Sequence, residues 1–161
     1  MSVRACQESD AARICEIYNH FVLNTVVTFE EVPVSEDDIL ERMRKVRATL
    51  PWLVAEQQGA VVGYAYAAAW HARSAYRHSV ESTIYLMPDA CGRGVGTRLY
   101  SALLDELKAR GLHCVIGGIA LPNPASVALH EKLGFAKVGH LTEVGRKFGR
   151  WIDVGYWETL L

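Results

Sequence analysis

Cysteine is sparse in this chain and badly arranged for metal or disulfide chemistry. The four cysteines, Cys6, Cys15, Cys91 and Cys114, never form a C-x-x-C pair, and the six histidines form neither an H-x-x-x-H pair nor a cluster with cysteine. Zinc sites and disulfide frameworks are therefore not expected, and no metal is assigned. Charge of one sign is also missing. Lys plus Arg numbers 17 against 18 Asp plus Glu, and the isoelectric point is about 6.6. No basic excess draws the chain to a nucleic-acid backbone or an anionic membrane. No apolar run approaches the roughly 20 residues of a membrane span. The opening MSVRACQESD lacks an apolar core of signal-peptide length, so a reducing cytoplasm is the expected location.

What is present is a chain of 161 residues, half of them hydrophobic, long enough to bury a core without staples. One domain over residues 1–161 is expected. A short strand around Val3–Ala5 precedes a helix whose apolar residues Ile14, Ile17, Tyr18 and Phe21 recur at helical spacing. Ser35-Glu36-Asp37-Asp38 reads as a capping box opening a second helix through Ile39, Leu40, Met43 and Val46, which Pro51 closes. Trp52–Glu56, Val61–Trp70 and Ser79–Met87 read as successive strands, the first two joined as a hairpin at Gln58-Gly59. Leu99, Ala102, Leu103 and Leu107 form the stripe of a third helix that stops at Gly111. Cys114–Leu121 reads as a buried strand, and Asn123-Pro124 as cap and first residue of a fourth helix running to Leu133-Gly134. Ala136–Val144 and Trp151–Leu160 complete a mixed α/β fold, a central twisted mixed sheet of about seven strands flanked by about four helices.

The segment DACGRGVGTRLY joins the third central strand to the following helix and carries Gly92, Gly94 and Gly96 on alternate positions. It fails the G-x-G-x-x-G pattern, because Thr97 stands where the last glycine belongs, and it lacks the Gly-Lys-Ser/Thr of a P-loop. Two readings remain. One is a tight strand-to-helix turn; the other is a concave run of main-chain N–H groups that continues into a helix start and suits an anion such as a pyrophosphate. Arg93 and Arg98 add charge at its edge.

Cys91-Gly92-Arg93-Gly94-Val95-Gly96 resembles the Arg/Gln-x-x-Gly-x-Gly/Ala pyrophosphate loop of the GNAT superfamily of N-acetyltransferases, departing from it at Cys91. Asn123 to Phe135 is similar to that superfamily's Asn-x-x-Ala…Tyr-x-x-x-Gly-Phe helix. TVVTFEE, PWLVAE, AWHARSAY, VESTIYL, LPNPASVALHEKLGF and KFGRWIDVGYW look like segments of its phosphinothricin N-acetyltransferase branch. The resemblance covers nearly the whole chain and implies a GNAT-like domain that uses acetyl-coenzyme A. It also implies a small amino-acid-like acceptor (phosphinothricin, methionine sulfoximine or methionine sulfone) and a homodimer whose KFGRW segment completes the pocket.

By the same resemblance, Ile84, Tyr85 and Leu86 bind the pantetheine chain, Gly92, Arg93, Gly94, Val95, Gly96 and Thr97 the pyrophosphate, and Asn123 the cofactor; a helix cap is the alternative for Asn123. Glu81 matches the general base, and a partly exposed strand carboxylate is the plain alternative. His130 stands where many members carry a tyrosine that protonates the departing thiolate; imidazole can do so near neutrality, and otherwise it is a helix-surface histidine. Phe29, Tyr66, Arg73 and Tyr76, with His71 and Lys147, correspond to the acceptor pocket, with surface charge the alternative for Arg73. Two other functions fit the same motifs. One is a non-catalytic acyl-coenzyme A-binding module, and the other an acetyltransferase for a protein N-terminus or an aminoglycoside.

Overall fold

Helical periodicity and capping chemistry lay down the first two helices. In the computed structural model, which describes residues 1–161, α1 spans Ala11–Asn24 and α2 spans Glu36–Arg47. Ile14, Ile17, Tyr18 and Val22 turn one face of α1 inward. The Ser35 Oγ accepts from the Asp38 N–H at 3.1 Å while the Asp38 carboxylate accepts from the Ser35 N–H at 2.8 Å, so two donors at the helix start are satisfied reciprocally. Acidic residues in the first turn of α2 and Arg44, Lys45 and Arg47 in the last complement its dipole.

The strands are β1 (Ser2–Ala5), β2 (Trp52–Gln57), β3 (Ala60–Ala69), β4 (Ser79–Leu86), β5 (Cys114–Leu121), β6 (Ala136–Lys147) and β7 (Arg150–Leu160). They form one seven-stranded sheet in the order β1-β2-β3-β4-β5-β7-β6. α3 (Val95–Ala109) follows β4, and α4 (Pro124–Lys132) follows β5. Cores lie on both sheet faces. Ile14, Ile17, Ile39 and Met43 of α1 and α2 pack with Val54 and Tyr64, whereas Leu99, Leu103 and Leu107 of α3 pack with Ala65, Val80 and Val115. Trp52 and Val54 belong to the first core, Leu53 and Ala55 to the second. That is why β2 reads as a continuous apolar run: it is buried on both faces.

Every neighbouring pair is antiparallel except β4 and β5. These two run parallel and pair only at Ser79 with Cys114, Val80 with Val115 and Glu81 with Ile116. β4 then continues against β3, and β5 against β7, so the sheet opens between them.

The helices and strands read from the sequence stand within a residue or two of those observed, apart from β6, which runs beyond Val144 to Lys147. Phe148 and Gly149 adopt φ of 51° and 71° and close a two-residue hairpin to β7. The tight turn keeps Gly145, Arg146 and Lys147 paired with Ile152, Trp151 and Arg150, which carries the strand past Val144. Near Leu141–Gly145 the ladder slips: Leu141 faces Val154 and Gly145 faces Ile152, so four steps of β6 match two of β7. The bulge places Glu143 at φ 51°. Asp153 pins it, one oxygen accepting from the Glu143 N–H at 2.7 Å and the other from His140 Nε2 at 2.8 Å.

Asp153→Ala should lower the melting temperature by a few degrees, and adding Glu143→Gly, which removes the left-handed penalty, should recover part of the loss. Thermal denaturation of the two variants checks this. A melting temperature unmoved in Asp153→Ala contradicts the pinning role.

Candidate active site

Where β4 and β5 part there is a cavity of about 440 Å³. Alternation along the strands makes it a passage through the sheet rather than a dent in one side. Ser82 and Ile84 of β4 turn toward α3, whereas Tyr85 packs against Tyr18 and Phe21 of α1. Adjacent glycines of β5 serve opposite faces. A Cβ on Gly117 would sit 2.5 Å from His130 Nε2; one on Gly118 would sit 3.3 Å from Glu81 Oε1 and 3.3 Å from the Tyr156 ring. Glu81 and His130 therefore approach the same opening from opposite faces.

His130 is held by α4, which starts as the sequence suggests: the Asn123 side chain accepts from the Ser126 N–H at 3.1 Å and Pro124 takes the first helical position. The imidazole is 4% exposed. Its Nδ1 lies 2.8 Å from the Ser126 carbonyl, which can only accept, so Nδ1 carries the hydrogen. Nε2 then accepts from the Tyr100 hydroxyl at 3.1 Å. Tyr100 Oη in turn lies 2.5 Å from Ser82 Oγ, whose hydrogen is directed to it. Burial lowers the His130 pKa, with the Ser126 bond opposing, so the ring is neutral near pH 7. Burial also keeps the Tyr100 phenol protonated.

Glu81 is half-buried with no partner for its carboxylate among the hydrogen bonds and ion pairs of the chain. Burial raises its pKa above the usual carboxylate value, with nearby His71 opposing. A carboxyl group of this kind is a stronger base than one in water.

The glycine loop fits an anion. Gly92 and Gly94 take φ of 74° and 77° with open space where a side chain would point. Gly96 differs: a Cβ there would meet Leu86 at 3.1 Å and Leu129 at 3.4 Å, so its role is close packing of α3 on β4 and α4. No main-chain N–H from Gly92 to Thr97 has a backbone acceptor, and the first helical bond runs from Arg98 N to the Gly94 carbonyl at 3.1 Å. A consecutive run of free donors at a helix start is an arrangement that suits an anion. The same loss of ladder beyond Glu81 leaves main-chain groups of β4 open to the cavity.

The cavity brings together Glu81, Ile84, Tyr85, Asn123, His130 and Phe29 of the residues named from sequence. Leu86 and the loop from Gly92 to Thr97 lie beyond its lining. Tyr66 stacks on Trp52 at 4.2 Å between centroids and is not part of the wall. His71, Arg73 and Tyr76 line a separate hollow of about 370 Å³. Lys147, 1% exposed, donates to the Thr28 carbonyl at 2.8 Å and so tethers the segment that carries Val27 and Phe29 into the cavity. Leu141 and Val144, on the bulge held by Asp153, close the outer wall. Sequence reasoning missed Ser82, Tyr100 and the Gly117-Gly118 pair as site residues. Tyr100 sits next to the apolar stripe of α3, and only the fold shows that its hydroxyl has polar company.

Gly117→Ala should displace His130 and destabilise the fold by about 1–3 kcal/mol, read by chemical denaturation. His130 also sets a pH dependence. Its folded pKa lies below the ordinary 6.5, so its contribution is complete above that value and declines as pH falls from 6.5 toward the depressed value. His130→Asn should flatten that part of the stability profile; an identical acid dependence in both proteins contradicts a buried neutral imidazole.

Comparison with known proteins agrees with this geometry. Residues 3–155 match the family described as Acetyltransferase (GNAT) domain. The chain is 39% identical to a phosphinothricin N-acetyltransferase of Streptomyces viridochromogenes, covering 98% of this chain and 86% of that protein. It is 38% identical to an L-methionine sulfoximine/L-methionine sulfone acetyltransferase of Salmonella typhimurium, over 100% and 95% of the two chains. The crystal structure of a GNAT superfamily phosphinothricin acetyltransferase from Sinorhizobium meliloti in complex with acetyl-coenzyme A superposes with a TM-score of 0.96 at 41% identity, over 99% of this chain and 88% of that one. A sheet opened beside a run of unpaired loop amides, matched to these relatives along its length, makes the chain a member of the GNAT family of acetyltransferases, an N-acetyltransferase that draws its acetyl group from acetyl-coenzyme A.

Proposed function

We propose that the protein acetylates the α-amino group of a small amino-acid-like compound, of the class of phosphinothricin, methionine sulfoximine or methionine sulfone, by direct transfer within a ternary complex. The observation that carries this reading is the unpartnered Glu81 carboxylate in the opening between β4 and β5. The relatives named above supply the acceptor class. Loop amides from Gly92 to Thr97 hold the diphosphate, and the open edge of β4 at Ile84–Leu86 holds the pantetheine arm. Glu81 takes a proton from the acceptor ammonium, directly or through one water. The free amine then attacks the thioester carbonyl carbon, the nitrogen releases its second proton, the carbon–sulfur bond breaks, and the departing sulfur gains that proton. His130 serves that transfer first as acceptor, because its Nε2 holds no hydrogen: a proton entering at Ser82 Oγ on the cavity wall shifts the Ser82 hydrogen to Tyr100 and the Tyr100 hydrogen to Nε2, and the reverse shift returns a proton to the sulfur. No cysteine lines the cavity, which favours direct attack over an acyl-cysteine route.

The cavity wall contains no Lys or Arg. The acceptor's carboxylate is therefore read by groups at the mouth, with His71 near enough to act on Glu81 and Arg73 beside it in the adjoining hollow. Acetylation of phosphinothricin would make the protein a herbicide-resistance factor, and a cytoplasmic one. A second copy of the chain is proposed to cover the β6–β7 hairpin, where Phe148 and Trp151 are 56% and 61% exposed and Val144 of the same hairpin is exposed too. Trp151→Glu should turn a dimer into a monomer in sedimentation velocity; a wild-type monomer at high concentration sinks the dimer.

The test is thiol release from acetyl-coenzyme A across phosphinothricin, methionine sulfoximine, methionine sulfone, free amino acids, aminoglycosides and N-terminal peptides. The amino-acid analogues should lead, and turnover confined to peptides or aminoglycosides would overturn the assignment. Glu81→Gln should lower kcat/KM by about a hundredfold or more with acetyl-coenzyme A affinity retained. Glu81 acts unprotonated and its pKa is raised, so wild-type activity should fall with acidification at a pH above the ordinary carboxylate value of 4.5. That acid limb should vanish in the variant.

A further inference from the structure

We propose that Gly118 is the position that admits the acceptor amine to Glu81, by leaving empty the space that a side chain would take beside Oε1. The inference rests on the acetyl-transfer reading above and adds a positioning residue to it. Three observations carry it. β5 is buried or half-buried along its length except at Gly118, the one exposed residue of the strand. Its backbone φ lies outside the left-handed region, and it pairs with Tyr156 in the ladder, so neither the turn of the chain nor the sheet demands glycine. What remains is the missing side chain. A Cβ there would lie 3.3 Å from Glu81 Oε1 and 3.3 Å from Tyr156 Cε1.

The first of those distances decides the function. A nitrogen or water hydrogen-bonded to a carboxylate oxygen sits about 2.7–3.2 Å away; a carbon on Gly118, at 3.3 Å, would stand at the edge of that shell and by its own bulk exclude a nitrogen or water from that side of Oε1. The Tyr156 ring bounds the same space on its other side. The proton leaving the amine nitrogen must cross it to reach Oε1, whether directly or by way of one water. Gly117, whose missing side chain accommodates His130 on the other face, is the structural counterpart and lies outside this path.

Gly118→Ala incurs no backbone strain, and a shift of a few tenths of an ångström in Tyr156 relieves the contact, so the variant should fold. A double-mutant cycle with Glu81→Gln tests the proposal, with phosphinothricin and methionine sulfone as acceptors. Gly118→Ala alone should lower kcat/KM for the amine by about tenfold or more, with acetyl-coenzyme A affinity by calorimetry unchanged. Its acid limb should move to higher pH, because the methyl displaces water from the carboxylate. In the Glu81→Gln background the same change should have little further effect, since both act on one proton transfer. Penalties that simply multiply overturn the proposal. So does full activity in Gly118→Ala, a large fall in its melting temperature, or lost acetyl-coenzyme A binding, each of which marks the glycine as indifferent or merely structural. A wild-type protein that releases no thiol with any amine removes the acetyl-transfer reading and this inference with it; an active wild type with a multiplicative cycle removes the inference alone.

Discussion

Three residue pairs hold β4 to β5, and everything chemical in this molecule follows from the ladder ending at Glu81 and Ile116. A parallel pair that continued to the ends of both strands would close the sheet and bury its edges. Here each strand keeps its outer partner and loses its inner one. The separation leaves main-chain donors and acceptors facing a gap, and an unpaired edge inside a protein needs something to bond. An extended, amide-bearing chain such as pantetheine is of that kind.

The gap also joins two environments that an intact sheet would keep apart. On the side of α3 and α4, Ser82, Tyr100 and His130 form a closed hydrogen-bonded chain in which each group is protonated once and neutral. On the side of α1 stands Glu81, free of partners. Burial pushes the two ionisable groups toward each other in pH, the carboxyl upward and the imidazole downward. The carboxyl is thereby made the stronger base, and the imidazole is kept neutral at pH 7 and able to accept a proton. Beyond the end of β4, the glycine loop leaves consecutive main-chain amides without backbone acceptors at a helix start, an arrangement that suits an anion without any side chain.

Much of this was legible in the sequence where the cause is local. The capping box at Ser35 and Asp38 and the Asn123-Pro124 helix start depend on residues a few positions apart, and each is found as read; the glycine stretch forms a strand-to-helix turn with free amides, in which Gly96 packs against Leu86 and Leu129. Glu81 and His130 were also legible, as an acid inside an apolar strand and a histidine inside a recognisable helix motif. Tyr100 and Ser82 were not, because their chain joins β4, α3 and α4, elements that sequence distance keeps separate. The Gly117-Gly118 pair reads as a weak point in a strand until both faces are visible. Tyr66, His71, Arg73, Tyr76 and Lys147 were assigned together to one pocket; the fold distributes them among an aromatic stack, an adjoining hollow and a buried tether to Thr28. Periodicity gives a residue's face but not its neighbours across the sheet.

Amide hydrogen–deuterium exchange with and without acetyl-coenzyme A tests the central claim most directly. The account predicts slowed exchange in two segments, Ser82–Leu86 on the open edge of β4 and Gly92–Thr97 at the start of α3, with β1 and β2 unchanged. Exchange that stays as fast in both segments at saturating acetyl-coenzyme A would contradict it.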